Sequence, residues 1–226
     1  MKTQKVFDIV ANKYDLMNDV MSVGTHRYWK ECMIDWLSPL PGMKIIDVAG
    51  GTGDISSRFL KRISAKGEAT VCDPNSSMIK YGKKKNKFSE NINWVTAAAE
   101  TLPFENEVFD AYLVSFGIRN FSDIQKALDE AHRVLKKGGR FLCLEFSTVQ
   151  NQNLSKLYNV YSKIIPVFGK VIVGDEKPYE YLTKTIRNFP SQEKFKNIIE
   201  ESNFSKVEYR NIFNGVVAIH SGWKEI

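Results

Sequence analysis

The sequence is poor in cysteine and histidine, from which disulfide frameworks and many metal centres are built. Its 226 residues include three of each. No two cysteines form a C-x-x-C pair, and no histidine stands at metal-ligand spacing from another histidine or from a cysteine. We therefore predict neither a disulfide framework nor a metal site. Cys72 and Cys143 lie within apolar runs, so we expect buried, reduced thiols there.

Long hydrophobic runs and a targeting signal are also missing. No stretch reaches the roughly 18 apolar residues that a membrane-spanning helix needs. The N-terminal MKTQKVFDIVANKYD contains acidic residues and has neither the apolar core of a secretion signal nor the arginine-rich character of a transit peptide. We expect a protein of the reducing cytoplasm, and peripheral contact with the inner face of the membrane is left open.

Size and charge fit an ordinary enzyme. The chain is 43% hydrophobic, which suits a single domain over 1–226 with a substantial core. Its formal net charge of +6 is a modest, scattered excess. Such a charge fits an anionic membrane surface or nucleic acid but identifies neither.

Short apolar runs alternate with helical patterns through the middle of the chain. Five of these runs are apolar on consecutive residues and rich in Val, Ile and Phe, which is typical of strands buried on both faces of a parallel sheet. They are KIIDV (44–48), EATVCD (68–73), INWVTA (92–97), FDAYLVSF (109–116) and RFLCLEF (140–146). Repeated strand–helix–strand units predict a doubly wound α/β fold. A helix over 191–203 and an antiparallel hairpin across Asn214-Gly215 complete the predicted sheet.

The helix before the fifth strand carries start and stop signals. Ser122 and Gln125 form a capping-box pattern at the start of SDIQKALDEAHRVLKK (122–137). Gly138 and Gly139 follow and predict the end of the helix.

Two segments lie outside this alternation. The N-terminal segment 1–37 has a helical pattern, and the insert 147–190 is aromatic and apolar but interrupted. One precedes the first strand and the other follows the fifth. Because ligands of open α/β sheets bind outside the carboxyl ends of the strands, we interpret these segments as a lid and a substrate-side insert.

The loop in KIIDVAGGTGDIS (44–56) predicts a ligand that approaches the backbone closely. It matches the dinucleotide pattern G-x-G-x-x-G only in part, since Ser56 takes the third position. Asp54 would repel a pyrophosphate at the start of the following helix. S-adenosylmethionine has no phosphates, and its two cationic centres would suit Asp47 and Asp54. The pattern alone does not exclude NAD.

Further cofactor contacts are expected at the ends of the next strands. Asp73 ends the second strand about 20 residues on, where an acid would meet ribose hydroxyls, although it could also begin a turn before Pro74. Ala98 and Ala99 are small enough for an adenine ring to lie against the backbone. Ser115 ends the fourth strand beside the predicted cofactor.

Seven blocks carry a resemblance that runs almost from end to end. They are VFDIVANKYDLMNDVMSVGTHRYWK, IIDVAGGTGDIS, AETLPF, VSFGIRNF, RVLKKGGRFLCLEFS, YEYLTKTIRNFP and GVVAIHSGWK. With these blocks the chain resembles the ubiquinone/menaquinone biosynthesis C-methyltransferases of the UbiE type. The resemblance implies a class I, Rossmann-like methyltransferase that uses S-adenosylmethionine. The implied acceptor is a polyprenylated quinol, either 2-methoxy-6-polyprenyl-1,4-benzoquinol or demethylmenaquinol or both, methylated on a ring carbon.

The resemblance also places site residues. Cofactor contacts carried over by position, together with Gly51 of the loop, are Gly51, Thr52, Asp73, Ala98, Ala99 and Ser115. Family members often have Asn or Asp where this chain has Ala98, so a side-chain bond to adenine is lost there while a backbone contact would survive.

Catalysis on a ring carbon needs the neighbouring hydroxyl as phenolate, although a free phenol has a pKa near 10. We predict that Arg119 stabilises the phenolate or positions a water, and that Asn120 orients the substrate. Tyr14 and His26 are candidates for lid contacts or proton transfer, and helix packing or a surface turn are equally consistent readings. We expect His132 to be structural and leave His220 open.

Other parts of the chain could bind the prenyl tail of the acceptor or a partner. Aromatic and aliphatic residues of the insert could line a prenyl tunnel or simply cap the sheet: Tyr158, Tyr161, Ile164, Ile165, Val167 and Phe168. KKKNK (83–87) reads as a solvated helix end, with lipid docking as the alternative. No nucleic-acid partner is predicted, and a homodimer or a quinone-biosynthesis complex is left open.

Three rival functions remain at this point. An RNA methyltransferase is permitted by the charge, but no RNA-binding appendage is present. A non-catalytic subunit that holds S-adenosylmethionine is disfavoured by the intact loop and by the retained Arg119-Asn120. An NAD oxidoreductase is disfavoured by Asp54.

Overall fold

A seven-stranded sheet organises the protein. The computed structural model describes residues 19, 22, 24–150 and 177–226. The strands in these ranges are β1 (Lys44–Val48), β2 (Glu68–Cys72), β3 (Ile92–Val95), β4 (Phe109–Ser115), β5 (Leu135–Phe146), β6 (Ser205–Ile212) and β7 (Val217–Trp223). The α-helices are α1 (His26–Leu37), α2 (Asp54–Arg62), α3 (Ser76–Lys85), α4 (Ile124–Val134), α5 (Lys177–Asn188) and α6 (Gln192–Glu201).

The order of the strands places a crevice at the middle of the sheet. The order is β3-β2-β1-β4-β5-β7-β6. Strands β1 to β5 run parallel, and β7 lies antiparallel between β5 and β6. The chain leaves β1 toward β2 and returns on the other side as β4, so the loops after β1 and β4 diverge at this switch point. The doubly wound fold and the antiparallel hairpin predicted from the sequence are confirmed.

Both faces of the sheet are buried, as the consecutive apolar residues of the strands predict. Ile45 faces a core cluster to which α1, α2, α3 and α5 contribute, and its neighbour Ile46 faces a second cluster built with α4 and α6. Cys72 and Cys143 are buried free thiols in β2 and β5, as expected. Among the described residues, no helix is both long and apolar enough to cross a membrane.

The junction of α4 and β5 differs from the prediction at both ends of the helix. Asp123, and not Ser122, caps α4, and its Oδ1 accepts a bond from Lys126 N at 3.0 Å. The helix ends at Val134 and β5 begins at once. Gly138 and Gly139 therefore lie within the strand.

A shift in register between β4 and β5 explains the glycines. Leu135 pairs with Phe109 while Arg140 pairs with Ala111, which leaves extra residues on the β5 side. Gly138 has a φ of 74° there. Its N–H donates to Lys224 O at 2.9 Å, and the C-terminal segment thereby pairs with this part of β5. The two glycines are therefore explained by pairing with residues that are distant in sequence, and not by a helix cap.

Helix α1 belongs to the body of the domain. Trp29, Met33 and Ile34 are buried against the sheet. Ion pairs join the helix to α2, with Lys30 Nζ 2.8 Å from Asp54 Oδ2. The other described residues of the predicted lid are few, and most of the insert 147–190 lies outside the described ranges, so their role as lid and insert stays a prediction.

Candidate active site

A cleft of about 230 Å³ opens at the carboxyl ends of the central strands. Its walls come from the loop after β1, the residues after β2 and β3, and the loop after β4. The lining residues are Ala49, Gly51, Asp73, Pro74, Asn75, Met78, Ala98, Ala99, Glu100, Phe116, Gly117, Asn120, Phe121 and Ser122. The cleft lies at the switch point between β1 and β4, where open α/β sheets bind ligands.

Strained backbone lies where the two sides of the cleft come close together. Ala49 and Phe116, which follow β1 and β4, have φ values of 51° and 56°. Residues with a side chain rarely adopt this left-handed region, and such strain persists where the surroundings enforce it, often at functional sites. A Cβ on Gly117 would lie 2.5 Å from the Cβ of Ala49, so only glycine allows this approach.

The glycine loop after β1 is held by carboxylates below it. Gly51 has a φ of 55°. Its N–H donates to Asp73 Oδ2 at 2.9 Å. Asp47 is buried, and its Oδ2 accepts bonds from the N and Oγ of Ser56, both at 3.1 Å. Ser56, which replaces the third glycine of the dinucleotide pattern, therefore anchors the acid beneath the loop.

Burial raises the pKa of Asp47 to about 7, against the lowering effect of the Ser56 bonds. The carboxyl is therefore about half protonated near neutral pH. A cation bound above the loop would favour the ionised form.

Asp54 does not take part in the cleft, and this expectation from the sequence is wrong. Its carboxylate is paired with Lys30 Nζ at 2.8 Å and with Arg58 Nε at 3.0 Å. Although burial alone would raise it, the charges of Lys30 and Arg58 lower the pKa of Asp54 to about 2. A carboxylate neutralised in this way neither attracts a cationic cofactor nor repels a pyrophosphate. The choice between cofactors has to rest on other residues.

Asp73 stands where the sequence places it, at the end of β2 and on the wall of the cleft. Its Oδ1 accepts a bond from Asn75 N at 2.8 Å, while Oδ2 holds Gly51. Burial raises its pKa to about 6, so the group is mainly ionised at neutral pH. Each carboxylate oxygen has a further lone pair, and the group can still accept the two hydroxyls of a ribose.

The cofactor residues predicted from the sequence are brought together in part. Gly51, Asp73, Ala98 and Ala99 line the same cleft. Their small side chains, single carboxylate and glycine backbone fit the adenosine and amino-acid parts of S-adenosylmethionine.

Thr52 and Ser115 are placed differently. Thr52 lines a neighbouring depression that it shares with His26 and Asp54. Ser115 ends β4, and its Oγ is buried without a hydrogen-bond partner in the part of the chain that the structure describes. Their roles as cofactor contacts stay predictions.

Arg119 lies behind the wall of the cleft, in the turn Ile118–Asn120 that follows β4. The side chain is 4% exposed, and its Nη1 donates to Glu145 Oε1 at 2.7 Å and to Phe116 O at 2.6 Å. Burial raises the pKa of Glu145, an effect that the charge of Arg119 opposes. Sequence reasoning missed Glu145, although a lone acid inside the apolar run RFLCLEF signals a buried cation nearby.

Asn120 faces the cleft and has a partner that the sequence did not identify. Tyr181 of α5 donates its hydroxyl to Asn120 Oδ1 at 3.1 Å. Tyr181 belongs to the block YEYLTKTIRNFP, whose only signal in the sequence is the family resemblance. The two residues are 61 positions apart in the chain, so no local pattern predicts their contact.

The other candidates from the sequence are structural or fall outside the described residues. Burial lowers the pKa of His220 to about 4, and its Nε2 lies 3.0 Å from Gln192 O. His132 packs edge-on against a phenylalanine at a centroid distance of 5.2 Å. His26 is buried at the start of α1, with Nε2 3.0 Å from Asp19 Oδ1. Tyr14 and the proposed tail-binding residues 158–168 lie outside the described ranges.

Known proteins resemble this chain over nearly its whole length. A model described as the ubiE/COQ5 methyltransferase family matches residues 1–224. The ubiquinone/menaquinone biosynthesis C-methyltransferase UbiE of Ruegeria sp. (strain TM1040) is 51% identical over 227 residues, which cover 99% of this chain and 90% of the relative. The mitochondrial 2-methoxy-6-polyprenyl-1,4-benzoquinol methylase of Homo sapiens is 46% identical over 260 residues, covering 99% of this chain and 80% of the relative.

Solved structures agree on the fold. A SAM-dependent methyltransferase from Thermotoga maritima superposes with a TM-score of 0.69 at 20% identity, covering 98% of this chain and 99% of that one. One from Aquifex aeolicus gives a TM-score of 0.63 at 15% identity, covering 86% and 89%. The class I methyltransferase fold predicted from the sequence is confirmed. Since a family model spans the chain almost end to end and full-length relatives share about half of its residues, the chain belongs to the ubiE/COQ5 methyltransferase family.

Proposed function

We propose that this protein transfers a methyl group from S-adenosylmethionine to a ring carbon of a polyprenylated quinol in ubiquinone or menaquinone biosynthesis. One observation carries the proposal within the molecule: a single cleft presents a carboxylate with two alanines on one side and an amide on the other. Asp73, Ala98 and Ala99 suit an adenosine, and Asn120 suits an oxygen of an acceptor. The family and the names of the relatives support the same reaction.

The cofactor residues have separable roles. Asp73 would accept the ribose hydroxyls, and the small side chains of Ala98 and Ala99 would leave room for the adenine ring. The N–H bond from Gly51 to Asp73 fixes the carboxylate to the glycine loop, which would hold the amino-acid end. When bound, S-adenosylmethionine supplies a methyl carbon whose bonding electron pair stays on sulfur, while the quinol loses one proton overall.

The acceptor needs help to become nucleophilic, because a phenol with a pKa near 10 is mostly protonated at neutral pH. Asn120 can donate to the ring oxygen as negative charge develops on it. Arg119 is held beside this position by Glu145, and its Nε has no partner among the described residues. We assign to Arg119 the electrostatic support of the phenolate, and we keep Tyr14 as a candidate for proton transfer.

The segments around the cleft complete the proposal. The rest of 1–37 and the insert 147–190 are proposed to close over the acceptor, with residues 158–168 near the prenyl tail. A tail of this kind dissolves in lipid, so we expect peripheral contact with a membrane. Lys83, Lys84 and Lys85 form the exposed last turn of α3 and offer positive charge for that contact.

Methyl transfer tests the proposal directly. The purified protein is incubated with S-adenosylmethionine and two chemically reduced acceptors, a prenylated methoxybenzoquinol and a demethylmenaquinol. Mass spectrometry then locates any added methyl, and Asp73→Ala serves as the variant deficient in cofactor binding. A methyl on a ring carbon supports the proposal, and the product ratio identifies the preferred quinol. No product from either quinol, despite cofactor binding and proven reduction of the acceptors, would overturn it in favour of an RNA acceptor or a non-catalytic role.

A further inference from the structure

A hydrogen bond joins the helix after the insert to the wall of the cleft. Tyr181 of α5 and Asn120 of the β4 loop are 61 positions apart, yet the phenolic hydroxyl lies 3.1 Å from Asn120 Oδ1. The next residue on α5, Leu182, is 1% exposed and part of the core, so the middle of this helix is anchored. The backbone of Asn120 is fixed as well, since its N–H donates to Gly117 O at 3.0 Å.

This bond determines what the amide can offer to the cleft. An asparagine side chain has one accepting oxygen and one donating NH₂ group. The bond from the hydroxyl of Tyr181 orients Oδ1 toward α5, which leaves the NH₂ group as the part of Asn120 that can meet a bound molecule. The orientation therefore suits an acceptor of hydrogen bonds, such as a phenolate oxygen.

The neighbouring groups do not duplicate this donor. Ser122, on the same loop, donates a hydrogen bond from its hydroxyl to Glu100 Oε1 at 2.7 Å. Glu100 and Asp73 are carboxylates on the opposite side and can only accept when ionised. Phe116 and Phe121 contribute rings. On the wall formed by the β4 loop, Asn120 is the side chain that can donate to an oxygen in the cleft.

We infer that Tyr181 is a positioning residue for methyl transfer, which turns the amide of Asn120 so that its NH₂ group donates to the ring oxygen of the quinol. The inference rests on the proposed function. A donor fixed in advance stabilises charge as it develops without having to reorient during the reaction. Tyr181 need not touch the substrate, because it acts through Asn120.

Removal of one hydroxyl tests this role. In Tyr181→Phe the ring and its packing remain while the bond to Asn120 is lost. We expect kcat for the quinol to fall about tenfold, which corresponds to about 1.4 kcal/mol and has the magnitude of one hydrogen bond to a charged group. The affinity for S-adenosylmethionine should stay within about twofold, because Asp73 and the alanines are untouched. Tyr209→Phe, which removes a hydroxyl from the edge strand β6, is the matched control and should keep the kcat of the wild type.

A double-mutant cycle separates positioning from a structural role. Asn120→Ala removes the group through which Tyr181 is inferred to act, so Tyr181→Phe should cause no further loss of kcat in that background. Equal losses in both backgrounds, or a wild-type kcat for Tyr181→Phe, would overturn the inference while leaving the proposed function intact. A wild-type protein that methylates neither quinol would overturn both.

A binding measurement adds a readout that does not depend on turnover. A nitrophenol that carries a short prenyl chain changes absorbance on ionisation and can be titrated when bound with S-adenosylhomocysteine. We expect the pKa of the bound phenol to be about one unit lower on the wild type than on Tyr181→Phe, which matches a tenfold effect. Equal values for the two proteins would contradict a role of Tyr181 in directing the NH₂ group.

Discussion

Replacement of Asp47 by Asn should favour the stability of the variant over that of the wild type more at alkaline pH than at acidic pH. Asp47 lies under the glycine loop and is 1% exposed. Asparagine has nearly the same shape, and its oxygen can accept both bonds from Ser56. The substitution therefore removes an ionisable group while it preserves the packing.

The sign follows from where the proton is held. Burial raises the pKa of Asp47 from 3.8 in the unfolded reference to about 7 in the folded protein. Between these values the folded protein keeps a proton that the unfolded chain has released, so the free energy of unfolding falls as the pH rises. Above about pH 7 the folded protein buries an ionised carboxylate, and the full free-energy cost of burying that charge lowers its stability. Asparagine has no such dependence.

The size of the effect follows from the same shift. Three units of pKa correspond to about 4 kcal/mol, and the two units between about pH 5 and pH 7 correspond to about 3 kcal/mol. Any constant cost of the amide, such as an unpaired NH₂, affects both pH values equally. The difference between variant and wild type should therefore change by about 3 kcal/mol in favour of the variant on going from about pH 5 to about pH 8.

Urea unfolding of the cofactor-free protein at these two pH values measures the change. Ser56→Ala is the opposite control: it keeps the carboxylate but removes a hydroxyl that stabilises the ionised form, so it should be more harmful at the higher pH. A constant difference between wild type and Asp47→Asn across this range would refute the reasoning, because it would mean that Asp47 titrates alike in the folded and unfolded chain.

Three further outcomes are expected from the geometry. Glu145→Gln leaves Arg119 buried without its counterion and should lower the free energy of unfolding by about 3–5 kcal/mol in urea titrations, and Arg119→Met added to it should recover part of the loss. Asp123→Ala removes the cap of α4 and should cost about 1 kcal/mol, more than Ser122→Ala, because the cap is Asp123. Calorimetry should show cofactor affinity falling as the pH drops through about 6, where Asp73 gains a proton, and a flat profile there would contradict its role as the ribose acceptor.

The sequence predicts the elements of the sheet because their signals are local. The strands are apolar on consecutive residues, and Asn214-Gly215 favours a tight turn, so periodicity and turn preference are sufficient. The end of α4 and the place of Gly138 depend instead on contacts with Lys224 and on the register of β4 with β5. A strand 12 residues long that begins directly after a helix has no local signature.

The residues of the site divide in the same way. Asp73 follows from its place at the end of the second strand, since all parallel strands present their carboxyl ends to one crevice. Asp54 was misjudged because one of its two partners, Lys30, lies on another helix, 24 positions away. The same limit hides the pairs of Arg119 with Glu145 and of Asn120 with Tyr181, which no spacing rule connects.

These distant partners help to give the wall of the cleft its shape. Two of its polar groups are held from another element: Asp73 by the loop after β1, and Asn120 by α5. Buried ionisable groups such as Asp47 and Glu145 are costly to the fold, as their raised pKa values indicate. These costs lie next to the cleft, and substitutions that remove them to stabilise the protein should reduce turnover.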